Sequence, residues 1–367
     1  MKKTYIDTAM ERIAPDLILK GGNVVDVFSG RVIKADVIIK DGIICGVGSY
    51  SGENEQDVSG KYIMPGFIDS HVHIESSMTQ PSEYAKAVMP HGITTVIADP
   101  HEITNVCGED GLEFMLKSAK NIPLDVNLML PSCVPATPFE HTGANLDAKT
   151  TQKLAPKFFG IGEMMNYPGI VSGDDETLGK LCLDIVDGHA PLLSGHELDA
   201  YASAGIKTDH ECSVIEEMTE KISKGMYILL REGTLSLDVA KLIKGVTPYT
   251  LRRCAFCTDD RFVGEIIRDG SIDHCIRKAV SLGLNNIDAI IMATLNACEI
   301  YGMKNKGAIA PSYVADIVVA DDLNLSSISQ VYKNGKLVCE NGKALFECET
   351  VDNSKVTNTV HLPNISA

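Results

Sequence analysis

The sequence predicts an α/β protein: a TIM-like (β/α)8 barrel with a small β-sandwich assembled from the two flanks of the chain. Three observations carry that expectation. Short β-rich runs alternate with Gly and Asp-Gly turns from Asp16 to Ile63. Apolar strand-length runs then alternate with helix-length segments after Pro65, as in a parallel sheet wrapped by helices. Strand pattern returns beyond Gly307, with an Asn334-Gly335 turn.

In the first flank, Leu17-Ile18-Leu19, Val24-Val25-Asp26-Val27, Asp36-Val37-Ile38-Ile39 and Ile43-Ile44-Cys45-Gly46-Val47 read as strands, with turns at Gly21-Gly22-Asn23 and Asp41-Gly42. In the last flank, Ala315 to Val319 and Val331 to Val338 supply strands that can pair with the first set. The expected division is therefore 1–64 with 306–350 as the β unit, 65–305 as the barrel, and 351–367 as a polar tail.

Between the flanks, the candidate strands are Gly66 to Val72, Thr94 to Asp99, Asp125 to Leu130, Phe158 to Glu163, Leu183 to Gly188, Gly205 to Asp209, Met226 to Arg231 and Arg253 to Asp259. That is about the number that closes a (β/α)8 barrel. Helices are expected at Gly111 to Ala119, Ser213 to Lys224, Ser236 to Lys244 and Ala289 to Tyr301. Ser213 with Glu216 has the spacing of a capping box.

Bulk properties narrow the function. The formal net charge of -16, from 49 acidic against 33 basic residues, disfavours nucleic acid and anionic membrane surfaces as partners. A small neutral or cationic substrate, or a bound cation, fits better. Eleven cysteines lack a framework spacing and no signal-like apolar run opens the chain, so a reducing cytoplasm is expected. No apolar stretch approaches the roughly 20 residues that span a bilayer. A homo-oligomer, with a homodimer favoured, is also expected.

Nearly every candidate strand ends in reactive polar residues. His71 and His73 stand at i and i+2, so they share one strand face. Alone, such a pair is as well explained by hydrogen-bonded core imidazoles as by a metal site. Further strand ends supply Asp99-Pro100-His101-Glu102, Glu163, His189, Asp209-His210-Glu211, Arg231-Glu232 and Asp259-Asp260, and the C-terminal strand ends are where such barrels build their sites. His71, His73, Glu163, His189, His210 and Asp259 make an imidazole and carboxylate set that suits Zn²⁺, Mn²⁺ or Fe²⁺, with enough donors for two ions sharing a carboxylate. Asp259 could then both ligate and accept a proton from water.

The run Pro65-Gly66-Phe67-Ile68-Asp69-Ser70-His71-Val72-His73 resembles the first barrel strand of the amidohydrolase superfamily. Six blocks resemble adenine deaminase more narrowly. They are His73-Ile74-Glu75-Ser76-Ser77-Met78, Ala98-Asp99-Pro100-His101-Glu102 and Gly162-Glu163-Met164-Met165-Asn166, followed by Asp187-Gly188-His189-Ala190-Pro191, Arg231-Glu232-Gly233-Thr234 and Cys257-Thr258-Asp259-Asp260-Arg261. The resemblance implies a hydrolase that converts adenine to hypoxanthine and ammonia with a metal-activated hydroxide at a binuclear centre. It places His71, His73 and Asp259 on one ion, His189 and His210 on the other, and Glu163 between them. The implied ions are two divalent metals, Mn²⁺ first, with Fe²⁺ or Zn²⁺ as alternatives.

Glu163, Asp259 and Glu102 are the candidates for proton transfer, unranked by the sequence. Asp99, His101 and Glu102 are expected as auxiliary ligands or supporting groups, and Arg231, Glu232 and Asp260 as contacts to the purine edge; a salt-bridged rim is the competing account of those last three. Two other outcomes stay open. A cyclic-amide hydrolase of the dihydroorotase or hydantoinase type would bridge its metals with a carboxylated lysine, but the fourth strand here ends in Glu163 and has Lys157 only at its start. The resemblance also implies a further C-terminal domain, absent from a chain that stops at Ala367, so a weakly active or non-catalytic remnant is the third possibility.

Overall fold

A computed structural model describes residues 2–361; the last six positions of the expected polar tail lie outside the described residues. After a short helix, Lys2–Ala9, the first flank forms Leu17–Asp26 (β1), Arg31–Lys40 (β2), Ile43–Gly48 (β3), Glu55–Asp57 (β4) and Tyr62–Pro65 (β5). The central segment contributes Phe67–Val72 (β6), Ile93–Ala98 (β7), Asp125–Leu130 (β8), Gly160–Met164 (β9), Val186–Gly188 (β10), Thr208–Asp209 (β11), Tyr227–Arg231 (β12) and Cys254–Cys257 (β13). The last flank forms Ile317–Ala320 (β14), Ile328–Lys333 (β15), Lys336–Glu340 (β16) and Lys343–Ala344 (β17).

The two flanks do join, through one antiparallel ladder that pairs Ile317 with Pro65 and Ala320 with Tyr62. Hydrogen bonding makes of them a single nine-stranded sheet in the order β17-β16-β15-β14-β5-β1-β2-β3, with β4 beside β1. Its inner face packs Leu19, Val37, Ile39, Ile63, Ile317 and Val319 into a separate apolar cluster. Each such buried aliphatic side chain contributes about 1.5–3 kcal/mol.

The central strands form a five-stranded sheet, β6 to β10, and a three-stranded sheet, β11 to β13, with every ladder parallel. The sheets curl toward each other. A parallel bridge between Val72 and Asp259 links the end of β6 to the residue pair following β13, and at the other seam Gly188 N donates to Thr208 Oγ1 at 3.0 Å. β6, β7, β9 and β13 are buried along their whole length. That double-sided burial explains their continuous apolar runs, since helices cover one face of a parallel sheet and side chains fill the other.

Local chemistry corrects several expectations. Gly21-Gly22-Asn23 is no turn: β1 runs through it with a register shift between Leu19 and Gly22, and Asp36 Oδ1 accepts the Gly21 N–H at 2.8 Å. The Ser213–Glu216 capping box does not form. The helix Ile215–Ser223 begins after Val214 with no side-chain cap, and the Ser213 N–H goes to Glu217 Oε2 at 3.3 Å instead. The expected helix at Gly111 is the second half of His101–Ser118, kinked where Gly108 takes φ 56°. The expected helix Ala289 to Tyr301 breaks into Asn286–Met292 and Leu295–Ile300 around Thr294, at φ -138°. Ser236 to Lys244 shrinks to Val239–Leu242 with a 3-10 turn after it.

Candidate metal centre

β6 ends at Val72, and backbone hydrogen bonds across the closing seam fix the residues beside it. Asp259 N donates to His71 O at 2.9 Å and His73 N to Asp259 O at 3.2 Å. Asp259 itself takes a left-handed φ of 56°, which aspartate tolerates better than most residues. Beneath the seam, buried Asp69 accepts Thr258 N at 3.0 Å and Thr258 Oγ1 at 2.5 Å. The first strand and the last are thus pinned together where their side chains must meet.

Those side chains converge. His71 Nε2 and His73 Nε2 lie 3.1 Å apart, and His73 Nε2 is 3.2 Å from Asp259 Oδ1 and 3.3 Å from Glu163 Oε1. Glu163 divides its oxygens between two groups. Oε1 faces His73 and, at 3.2 Å, His101 Nδ1; Oε2 faces His189 Nδ1 at 2.6 Å and His210 Nε2 at 3.2 Å. All six residues expected as ligands are therefore brought together, and all but the partly exposed His189 are buried.

The surroundings orient the donors. Asp99 O lies 2.9 Å from His73 Nδ1. A backbone carbonyl can only accept, so Nδ1 carries the proton and the Nε2 lone pair faces the other donors. Asp187 Oδ2 stands 3.5 Å from His71 Nδ1, while its Oδ1 takes Tyr301 Oη–H at 2.9 Å and Thr208 Oγ1–H at 2.8 Å. Asp99 Oδ2 accepts Glu163 N at 2.9 Å, a contact that requires glycine at 162: a Cβ there would sit 2.2 Å from the same oxygen. Fully buried Lys221 donates to Ala190 O at 2.7 Å, Glu217 Oε1 at 2.7 Å and Asp209 Oδ2 at 3.1 Å, and so braces the loops that carry His189 and His210.

The electrostatics follow from this packing. Burial raises the cost of the Glu163 anion, but four imidazoles hold its carboxyl well below the usual range. Burial opposes the His73 cation, yet Glu102, Asp259 and Glu163 push its pKa well above the ordinary value; His210 is pushed up to about 9 against the same burial, chiefly by Glu163. Converging nitrogen and carboxylate oxygen donors, with no thiolate among them, are the set preferred by divalent Zn²⁺, Mn²⁺ or Fe²⁺. Among the described residues the buried Nδ1 atoms of His71 and His210 have no hydrogen-bond partner, with Asp187 Oδ2 standing 3.5 Å from that of His71. The residues fit divalent ions.

Among the other expected residues, Asp99, His101 and Glu102 adjoin the centre: Glu102 Oε2 is 3.6 Å from His73 Nδ1 and its Oε1 is 3.6 Å from His101 Nε2. Asp260 lies beside it as well, its carboxylate within 4.8 Å of donor atoms of His73 and Asp259. Arg231 and Glu232 are otherwise engaged. Arg231 donates to Asp259 Oδ2 at 2.8 Å, to Glu211, and through Nε and Nη2 to buried Asp238 at 3.2 and 3.1 Å. Glu232 pairs with Lys278 on the helix Ile272–Ser281. Lys157 is exposed ahead of β9, and Glu163 stands near the end of that strand. Sequence reasoning did not single out Asp238, Lys221 or Tyr301, and it quoted Asp69 and Asp187 in the runs that carry the resemblance without giving them a role. Their partners are not local: Asp69 meets Thr258 and Asp187 meets Tyr301 only across the fold.

Two cavities open near the strand ends. The larger, about 670 Å³, lies between the Ser132–Asp147 loop and Met164–Pro168 and touches none of the six donors. The smaller, about 210 Å³, has Asp259 and Asp260 in its wall. For chemistry at the centre the smaller one matters.

Parallel strands ending in these donors define an α/β protein built around a divalent-metal centre. The family model described as "Amidohydrolase family" matches residues 62–338, and the chain belongs to that family. It is 50% identical to an adenine deaminase of Clostridium acetobutylicum over 98% of this chain and 65% of that protein, and 48% identical to an adenine deaminase 2 of Desulfotalea psychrophila over 99% and 64%. The chain thus spans just under two thirds of the length of these curated relatives. Among solved structures, a beta-aspartyl dipeptidase of Fervidobacterium islandicum AW-1 superposes with a TM-score of 0.64 at 20% identity, covering 92% of this chain and 98% of that one. An enamidase does so with a TM-score of 0.64 at 18% identity, covering 90% and 97%. The family match and these two likenesses together give an α/β amidohydrolase fold.

Proposed function

We propose that this chain deaminates adenine hydrolytically, giving hypoxanthine and ammonia. The observation that carries the proposal is the meeting of His71, His73, Glu163, His189, His210 and Asp259 at the strand ends, in a chain half identical to an adenine deaminase over nearly its whole length. In this reading the eight parallel strands form a (β/α)8 barrel spanning 65–305. Flanks 1–64 and 306–350 form its β-sandwich companion, with 351–367 as the tail. His71, His73 and Asp259 would hold one ion, His189 and His210 a second, with Glu163 shared. Two divalent ions, Mn²⁺ ahead of Fe²⁺ or Zn²⁺, would supply a nucleophilic hydroxide at neutral pH, because coordination lowers the pKa of water from about 15.7 toward roughly 7.

The chain's own residues do the rest. Arg231 fixes Asp259 by its outer oxygen and leaves Oδ1 toward His73. Glu163 is committed to four imidazoles. Glu102 lies beside His73 and His101, has Ser76 Oγ 3.3 Å from its Oε1, and is about one third exposed. It is therefore assigned the proton transfer to the purine ring nitrogen and then to the leaving amine. Asp99 and His101 support the donors, and Asp260 faces the substrate. The acidic surface fits a small base better than nucleic acid or a membrane, and no described helix is long and apolar enough to cross one. A cytoplasmic homodimer completes the proposal.

The test is to incubate the Mn²⁺-loaded chain with adenine and follow hypoxanthine and ammonia, with dihydroorotate and a hydantoin alongside. Stoichiometric appearance of both products, lost in His71→Ala, is expected. Turnover of the cyclic amides in place of adenine would replace the proposal.

A further inference from the structure

The 210 Å³ cavity beside Asp259 has an unusual mouth. Three large apolar side chains surround it in water: Leu235 is 92% exposed, Met78 78% and Phe262 47%. Their backbone is held in place. Thr234 N donates to Asp260 O at 2.7 Å, Thr234 Oγ1 donates to Glu265 Oε2 at 2.6 Å and accepts Phe262 N at 3.0 Å. Leu235 therefore projects from a pinned turn. Met78 closes the 3-10 turn Ile74–Ser77 that begins directly after His73, at a left-handed φ of 63°.

Below this apolar rim the wall is anionic. Asp259 and Asp260 line it, and Ser76 Oγ donates to Asp260 Oδ1. Ionised carboxylates only accept hydrogen bonds. The cavity is therefore complementary to a flat molecule with apolar faces and N–H donors on its edge. Its volume equals about seven waters of bulk liquid, room for one bicyclic base. Of the sequence-based candidates for the purine edge, Arg231 is committed to Asp259, Glu211 and Asp238, Glu232 gives one oxygen to Lys278, and neither lines this cavity.

We propose that Leu235, Met78 and Phe262 clamp the faces of the purine base while Asp260, steadied by Ser76, accepts hydrogen bonds from its edge. This assignment rests on the adenine reading and names the residues that give it affinity. Because the three apolar side chains stand in solvent, replacing them leaves the core intact.

Steady-state kinetics on adenine and calorimetric adenine binding, both with the Mn²⁺-loaded full chain, test the assignment. Leu235→Ser and Met78→Ser should each raise KM and weaken calorimetric binding about tenfold with kcat unchanged, and Leu235→Met should restore both. Phe139→Ser, at the larger cavity, should change neither. If the wild-type chain binds and converts adenine while Leu235→Ser and Met78→Ser leave KM and affinity unaltered, the clamp is wrong and the adenine reading stands. A shift in size-exclusion elution with that unchanged KM would mark the rim as a subunit contact and equally overturn the clamp. If the wild-type chain neither binds nor converts adenine, both proposals fall together.

Discussion

The two ends of the parallel strands treat buried charge in opposite ways. At the N-terminal ends, where the β unit joins, each carboxylate has a lysine. Asp316 Oδ2 takes Lys306 Nζ at 2.8 Å and Lys333 Nζ at 2.9 Å, its Oδ1 takes Asn334 N at 3.0 Å, and Asp125 bonds the same two lysines. At the C-terminal ends, Glu163, Asp259 and Glu102 face imidazoles and one another's neighbours, with Arg231 reaching only the outer oxygen of Asp259. A closed set of ion pairs stabilises a junction. A set that leaves lone pairs converging on one point is costly to keep and is ready to receive a cation.

That contrast can be broken from either side. The largest effect is expected at the open end. Asp259→Asn should lower kcat for adenine by roughly a thousandfold or more while thermal melting of the metal-free chain stays near wild type, since the amide preserves the shape. At the closed end, Asp316→Ala leaves Lys306 and Lys333 with only the half-exposed Asp125 as a carboxylate partner and should cost about 1–3 kcal/mol in urea unfolding, leaving kcat intact at low temperature. The same pair has a pH signature. Burial pushes the Asp316 carboxyl up, but Lys306 and Lys333 outweigh it and hold the pKa below the usual value. Its contribution is therefore full above the unfolded-state value of about 3.9 and drains away as the pH falls through the lower folded value. Asp316→Ala should remove that part of the acid sensitivity of unfolding.

A middle-sized effect is expected where the regions' styles meet. Arg231→Met frees the outer oxygen of Asp259 and leaves buried Asp238 without its Arg231 contacts, so metal affinity measured by competition with a chelator should fall about 10–100-fold. The smallest concerns a contact the sequence suggested. Ser213→Ala should shift unfolding by less than about 0.5 kcal/mol, because no capping box forms there.

Legibility in the sequence followed the range of the interactions. β8 matches its expected span, Asp125–Leu130, and β12 differs by one residue, because each carries a buried apolar run, Leu128-Met129-Leu130 and Ile228-Leu229-Leu230, of the kind a parallel strand packed on both faces needs. Donor types at the strand ends were legible for the same reason: a polar residue closing such a run has few other places to go. Elements decided by one hydrogen bond were not. Gly21-Gly22 looks like a turn until Asp36, fifteen residues away, holds the bulge, and Ser213 looks like a cap until Glu217 takes its N–H. The pairs Asp69–Thr258 and Asp187–Tyr301 are separated by 189 and 114 residues, so the motif runs that contain these acids do not reveal what they bond. Arg231 and Glu232 show the remaining gap. Their chemistry suits a purine edge, and only packing reveals that Arg231 also bonds Asp238 and that one oxygen of Glu232 takes Lys278.

The open end's purpose rests on its capacity for metal, and metal content per chain measures that directly. The chain of residues 1–367, stripped, reloaded with Mn²⁺ and desalted, should retain two ions by inductively coupled plasma mass spectrometry, falling to one or fewer in Glu163→Ala. Retention of none by the folded wild-type chain, or of the same number by both proteins, would contradict the account.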